Sequence, residues 1–242
     1  MVTWVAAQAV KSGASEVIVA TDHPDIARAV REHGYDVEMT RTGHATGTDR
    51  LAEVVARRRY GAGRIVVNVQ GDEPLIAPSL IRRVAENLAG QPAAQIATAC
   101  CALRDAREFV NPNVVKVALD ESGCALYFSR APIPYARDAF ARGIRQLPPR
   151  LPVYRHLGIY AYRCAFLREF GKLKPVLIEQ FEALEQLRAL AHGYRISVEI
   201  SRAAPHPGID TPGDLARVRR LLAEKAPRRA RARRKARTPT KV

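Results

Sequence analysis

Apolar and polar positions along this chain alternate between two rhythms. Val2, Val5, Ala6, Ala9 and Val10 recur at helical spacing until Gly13, a residue free to take the conformation that ends a helix. A β-branched run over residues 16–20 closes on Thr21-Asp22, and residues 24–30 read as a helix with Asp22 or His23 near its start. Asp36–Met39 predicts a short strand, residues 41–48 a loop of Gly and Thr, and Leu51, Val54 and Val55 a helix face. A strand over residues 64–69, a helix over 78–88 and a strand over 95–99 continue the series. Strands that take turns with helices predict an α/β fold built on a mostly parallel, doubly wound sheet.

The rhythm changes in the middle of the chain. Residues 114–119 and 124–129 flank Asp120-Glu121-Ser122-Gly123 and predict a β-hairpin with a four-residue turn. Pro132 and Pro134 break regular structure, and Pro148, Pro149 and Pro152 mark a loop tip. A second extended stretch, residues 157–162, precedes two expected helices, 165–171 and 180–192. Together these segments predict a mixed, partly antiparallel cap laid beside the main sheet. Residues 196–200 give a last strand and 212–222 a last helix.

Composition narrows the class. The 242 residues are 47% hydrophobic, enough for one large α/β domain. No apolar run approaches the roughly 18 residues that span a bilayer, and Met1-Val2-Thr3-Trp4-Val5 carries neither a basic leader nor a cleavage pattern. A cytoplasmic protein is therefore expected. Cys100, Cys101, Cys124 and Cys164 lack metal-site or redox spacing, which predicts reduced, mostly buried thiols. The net charge of +15 suggests nucleic acid until it is mapped: nine of the basic residues lie in 225–242, which holds no acid, and residues 1–224 carry only +6. With Pro227 and Pro239 and no apolar period, 225–242 reads as a disordered basic tail with weak affinity for polyanions.

Gln70-Gly71-Asp72-Glu73-Pro74 follows directly on the apolar run 65–69. Side chains at the carboxyl ends of parallel strands open into the ligand crevice, where a carboxylate can grip a divalent metal. The same residues also suit an ordinary polar turn. Asp210 reads equally as the N-cap of the helix that starts at Pro212. Residues 41–48 supply glycine, hydroxyls and a following helix N-terminus, which suits an anion or nucleotide, or a simple cap by Thr46 or Thr48. His156 and Tyr160 suit a strand with satisfied polar tips, and Glu185 and Gln186 a solvated helix face.

Five constellations, in order along residues 1–222, are similar to one family. Ala20-Thr21-Asp22-His23, Gln70-Gly71-Asp72-Glu73-Pro74, Tyr127-Phe128-Ser129-Arg130, Arg155-His156-Leu157-Gly158-Ile159-Tyr160 and Gly208-Ile209-Asp210-Thr211-Pro212 resemble the 3-deoxy-manno-octulosonate cytidylyltransferases, or CMP-Kdo synthetases, of lipopolysaccharide assembly. Leu184-Glu185-Gln186-Leu187-Arg188 adds specificity to the match.

The resemblance implies a Rossmann-like nucleotidyltransferase spanning 1–224, with residues 112–175 as a smaller mixed α/β subdomain for sugar binding and dimerisation. It implies CTP and Kdo as substrates, Mg2+ as cofactor and a homodimer as the assembly. Asp72 and Asp210 are then the metal ligands and catalytic residues. Gln70, Arg137, His156, Tyr160, Glu185 and Gln186 surround Kdo, with Arg137 facing its carboxylate, and Arg41, Thr46 and Gly47 lie by the nucleotide. A related keto sugar acid, 8-amino-Kdo or a sialic acid, is the alternative substrate. An inactive fragment that binds polyanions through its basic tail is the alternative of a different class. The family opens with a buried strand and an Arg-, Ser- and Lys-bearing loop around the triphosphate, and Met1-Val2-Thr3-Trp4-Val5 aligns with the helix after that loop. The expectation is that the coding sequence begins upstream, and that this chain alone is poorly stable or inactive.

Overall fold

A computed structural model describes residues 1–44, 46–202, 208–209 and 211–225. Its helices are α1 (Val2–Lys11), α2 (Pro24–Glu32), α3 (Gly47–Arg57), α4 (Pro78–Ala89), α5 (Ala106–Val110), α6 (Cys164–Phe170), α7 (Leu177–Glu182), α8 (Gln186–Ala191) and α9 (Pro212–Lys225). Its strands are β1 (Ile18–Thr21), β2 (Asp36–Met39), β3 (Ile65–Asn68), β4 (Ile96–Ala102), β5 (Lys116–Leu119), β6 (Ala125–Ser129), β7 (Tyr154–Arg163) and β8 (Ile196–Ser201). The basic tail from residue 226 onward lies outside the described residues.

Strand β4 explains the layering. Every residue from Ile96 to Cys101 is buried, and successive side chains point to opposite faces. Ile96 and Cys100 join one core with Phe128, Phe166, Leu167 and Leu187. Ala97, Ala99 and Cys101 join the other, with Leu80, Ile81, Val84 and Leu88 of α4. A sheet apolar on both faces needs helices on both, which is the doubly wound arrangement.

Strand direction completes it. β1 and β2 pair in parallel, as do β4 and β8, while β3, β4 and β5 all pair antiparallel to β7. β3, β4, β5 and β8 therefore share one direction, and only β7 and β6 oppose it. The hairpin expected around Asp120 is present, with β5 and β6 antiparallel and Asp120 N bonded to Cys124 O at 2.8 Å.

Two expectations are corrected. The stretch at 157–162 is not a cap beside the sheet: it is the second half of β7, which runs the length of the sheet with β4 along one edge and β3 and β5 sharing the other. Its register against β4 jumps from Thr98↔Tyr160 to Ala99↔Leu157, so Gly158 and Ile159 form a bulge. The single helix expected over 180–192 is two. Ala183 turns left-handed at φ 49° and ends α7, and Arg188 of α8 folds back to grip Glu179 with Nε at 2.9 and 3.1 Å from its oxygens.

β1 pairs with β2 alone and β3 with β7 alone among the described residues. Between them lies a cavity of about 540 Å³. Val5 and Ala6 of α1 line one side and Leu51 and Val54 of α3 the other. Gln70 and Gly71 lie at its margin, so the cavity borders the carboxyl end of β3.

Candidate functional site

The carboxyl ends of β1, β2 and β3 gather at the N-terminus of α3. Arg50, one turn into that helix, reaches Asp22 Oδ2 beyond β1 at 3.1 Å and donates to Thr40 Oγ1 beyond β2 at 2.5 Å. That bond to Arg50 holds the Asp22 carboxyl below the usual carboxylate range. Gly47 faces the end of β3, where an added Cβ would lie 3.5 Å from Asn68 Nδ2. Thr46 caps the helix: its Oγ1 accepts from Asp49 N at 3.2 Å and donates to Asp49 Oδ2 at 3.0 Å. The cap expected of Thr46 is thus formed. The free N–H groups of this end and its dipole still favour an anion nearby.

Arg41 is exposed and tied to Glu53, which its backbone N meets at 3.2 Å and its Nε at 3.5 Å. His44 and Arg57 close on the same carboxylate. Burial opposes ionisation of Glu53, and the bonds from His44 and Arg41 outweigh it, holding the carboxyl below its ordinary range.

Asp72 follows β3 and is half-buried. Its backbone oxygen accepts from Ile209 N at 3.0 Å, and a Cβ on Gly208 would stand 3.9 Å from Asp72 Oδ2. Asp210, the second expected ligand, lies outside the described residues. Among the described residues no group of three His, Cys, Asp or Glu side chains gathers around one point. The Asp72 carboxylate is a donor of the kind magnesium takes, since that ion binds through one or two carboxylates and completes its shell with phosphate and water. Gln70 is exposed at the cavity margin.

The sugar-side candidates lie where β7 bulges. His156 and Tyr160 stand 5.4 Å apart between ring centroids, with Phe128 edge-on to His156 at 5.0 Å and Tyr162 stacked on Tyr160 at 5.8 Å. His156 Nε2 is 2.8 Å from Thr98 Oγ1. Burial pushes the imidazole down to about 3, so it is neutral at physiological pH, and raises the Tyr160 phenol well above its ordinary value.

Glu185 Oε2 accepts from Thr48 Oγ1 at 2.9 Å, and the same hydroxyl lies 3.3 Å from Tyr162 OH. Glu185 Oε1 is enclosed, with no partner meeting strict hydrogen-bond geometry among the described residues. Burial raises this carboxyl, against bonds from Thr46 and Thr48 that lower it. Gln186 is buried at the start of α8. The alternative of a solvated helix face does not hold for either residue, since Glu185 is half-buried and Gln186 buried.

Tyr160, Glu185 and Thr48 are thus brought together through Tyr162, and His156 joins them along β7. Arg137 is not brought in. It is exposed, and no hydrogen bond or ion pair joins it to His156, Tyr160 or Glu185 among the described residues. Two residues were missed by sequence reasoning, Thr48 beyond a possible cap and Thr98 altogether. Thr98 stands in an apolar strand, and nothing local announces that its hydroxyl meets a histidine 58 positions away.

The sequence profile of a family described as Cytidylyltransferase matches residues 1–196. Among solved structures, CMP:2-keto-3-deoxy-manno-octonic acid synthetase complexed with CTP is similar at 39% identity and a TM-score of 0.83, covering 93% of this chain and 88% of its own. A Bacillus anthracis structure assigned as a glucose-1-phosphate thymidylyltransferase, in complex with a sucrose, is similar in fold alone. Its identity is 14% and its TM-score 0.56, over 91% of this chain and 81% of its own. With a profile match over most of its length and a relative of this identity, the chain belongs to the cytidylyltransferase family.

Proposed function

We propose that this chain transfers CMP from CTP to 3-deoxy-D-manno-octulosonate (Kdo), giving CMP-Kdo and pyrophosphate for lipopolysaccharide assembly in the cytoplasm. The observation that carries the reading is the likeness to CMP:2-keto-3-deoxy-manno-octonic acid synthetase, at 39% identity over 93% of the chain. The geometry agrees in kind: an anion-favouring helix end and a strand-end carboxylate border one region, and a buried polar cluster lies along β7.

In the reaction the anomeric hydroxyl oxygen of Kdo bonds to the α-phosphorus of CTP as the bond to pyrophosphate breaks. Transfers of this type are accelerated chiefly by alignment and by neutralising charge on the phosphate oxygens. Asp72 and Asp210 would hold a magnesium ion, which would supply that neutralisation and lower the pKa of a hydroxyl beside it. The chain's own residues do the rest. The α3 N-terminus, with Thr46 and Gly47, and Arg41 orient the nucleotide. Gln70 lies between the substrates, His156, Tyr160, Glu185 and Gln186 hold the sugar hydroxyls, and Arg137 pairs with its carboxylate. Residues 112–175 serve as the sugar-binding and dimerisation region of a homodimer.

An acceptor panel tests this. With CTP and magnesium, Kdo is expected to give a CMP-linked product, identified by its phosphodiester phosphorus resonance, at least about tenfold faster than 8-amino-Kdo or a sialic acid, a margin within what one pocket contact confers. Preference for either alternative would replace Kdo in the proposal.

A further inference from the structure

Thr98 is fully buried on β4 and stands under the bulge of β7. Its hydroxyl has three neighbours: Ile159 O at 2.7 Å, Leu157 O at 3.2 Å and His156 Nε2 at 2.8 Å. A hydroxyl carries one proton and two lone pairs. Both carbonyls can only accept, so the proton goes to them, and the shorter contact is to Ile159 O. The oxygen must then accept from His156, which requires the proton of the imidazole to sit on Nε2. With the ring neutral, Nδ1 carries a lone pair. That nitrogen makes no hydrogen bond among the described residues.

We propose that Thr98 is a positioning residue: it fixes His156 in the Nε2–H tautomer, so that Nδ1 accepts a hydrogen bond from a hydroxyl of the sugar acid, and it pins the bulge that separates His156 from Tyr160. The second half rests on the reading of His156 as a sugar contact. The first stands on the hydrogen-bond geometry alone. Tautomer choice by the partner of the second ring nitrogen is a general device for histidines that work. An acceptor nitrogen on a ring 5.4 Å from that of Tyr160 suits a polyhydroxylated ligand, which offers donors and acceptors alternately.

The test uses the whole chain with nitrogen-15 in its histidines. Two-dimensional correlation spectra identify which ring nitrogen of His156 bears the proton, with His156→Asn assigning the signal. The protein and Thr98→Ser are expected to show Nε2–H, and Thr98→Val a mixture or Nδ1–H. Adding Kdo in the presence of CTP is expected to move the Nδ1 resonance, with affinity about tenfold weaker in Thr98→Val, equivalent to about 1.4 kcal/mol, and restored in Thr98→Ser. Nδ1–H in the unaltered protein overturns the proposal without any variant. An Nε2–H signal in Thr98→Val equal to that of the unaltered protein also overturns it. A tautomer as expected with no response of Nδ1 to Kdo overturns the assignment of that nitrogen to the sugar. A response to Kdo without pyrophosphate release would count against the proposed transfer and leave this inference standing.

Discussion

His156 differs from a surface histidine in two measurable ways, its neutral state and its bond to Thr98. With the native group pushed down to about 3 and an unfolded histidine near 6.5, the unfolded chain binds the extra proton between those values. Stability is therefore expected to fall as pH drops below about 6.5, by up to about 2 kcal/mol at pH 5, and to lose nothing further from this group below about 3. Denaturant midpoints of the protein and of His156→Asn at pH 7.5 and pH 5 check this. The gap between them should close with acid, and a gap independent of pH would contradict the burial. Thr48 carries a second expectation. Thr48→Val removes the hydroxyl that Glu185 Oε2 accepts from, so it should cost about 1–3 kcal/mol in urea unfolding, while Thr48→Ser should cost less than half of that. Asp72 was legible from sequence because a carboxylate at a strand end is a local pattern. Thr48 and Thr98 were not, since each acts through a partner far along the chain.

At the scale of elements, the helical and short-strand rhythm was legible for α1 to α4, β2 and the β5–β6 hairpin, whose boundaries follow local apolar spacing and turn residues. The placement of β7 was not. His156-Leu157-Gly158-Ile159-Tyr160 reads as extended, but which strands flank it is decided by long-range pairing that a local pattern does not encode. The break between α7 and α8 escaped for a related reason: Gln180 to His192 has good helix formers throughout, and the interruption is enforced by Glu179 and Arg188 clasping across it. Glu179→Ala should therefore cost about 3–5 kcal/mol, because it strands a nearly buried guanidinium. Ala183→Gly should instead gain about 0.5–1 kcal/mol, since φ 49° is strained for alanine and free for glycine. Urea midpoints of both variants check the pair, and a loss on Ala183→Gly would contradict the left-handed turn.

The whole molecule is a doubly wound α/β domain with one interruption, the cavity between β1 and β3. A strand edge that faces a cavity lacks the ladder that protects an inner strand. Amides of β1 on the cavity side are expected to exchange with solvent at least about tenfold faster than those of β4, which is paired on both edges. Equal protection would contradict the unpaired edge. The same cavity borders Gln70 and Gly71, just before the proposed metal ligand Asp72, so the transfer itself tests the site as a whole. The measurement is pyrophosphate release with CTP, Kdo and magnesium. The account predicts release that requires CTP and Kdo together, and that falls by about 10²–10³-fold in the Asp72→Asn variant with the urea midpoint unchanged. Absence of release, or release that proceeds without Kdo, would contradict it.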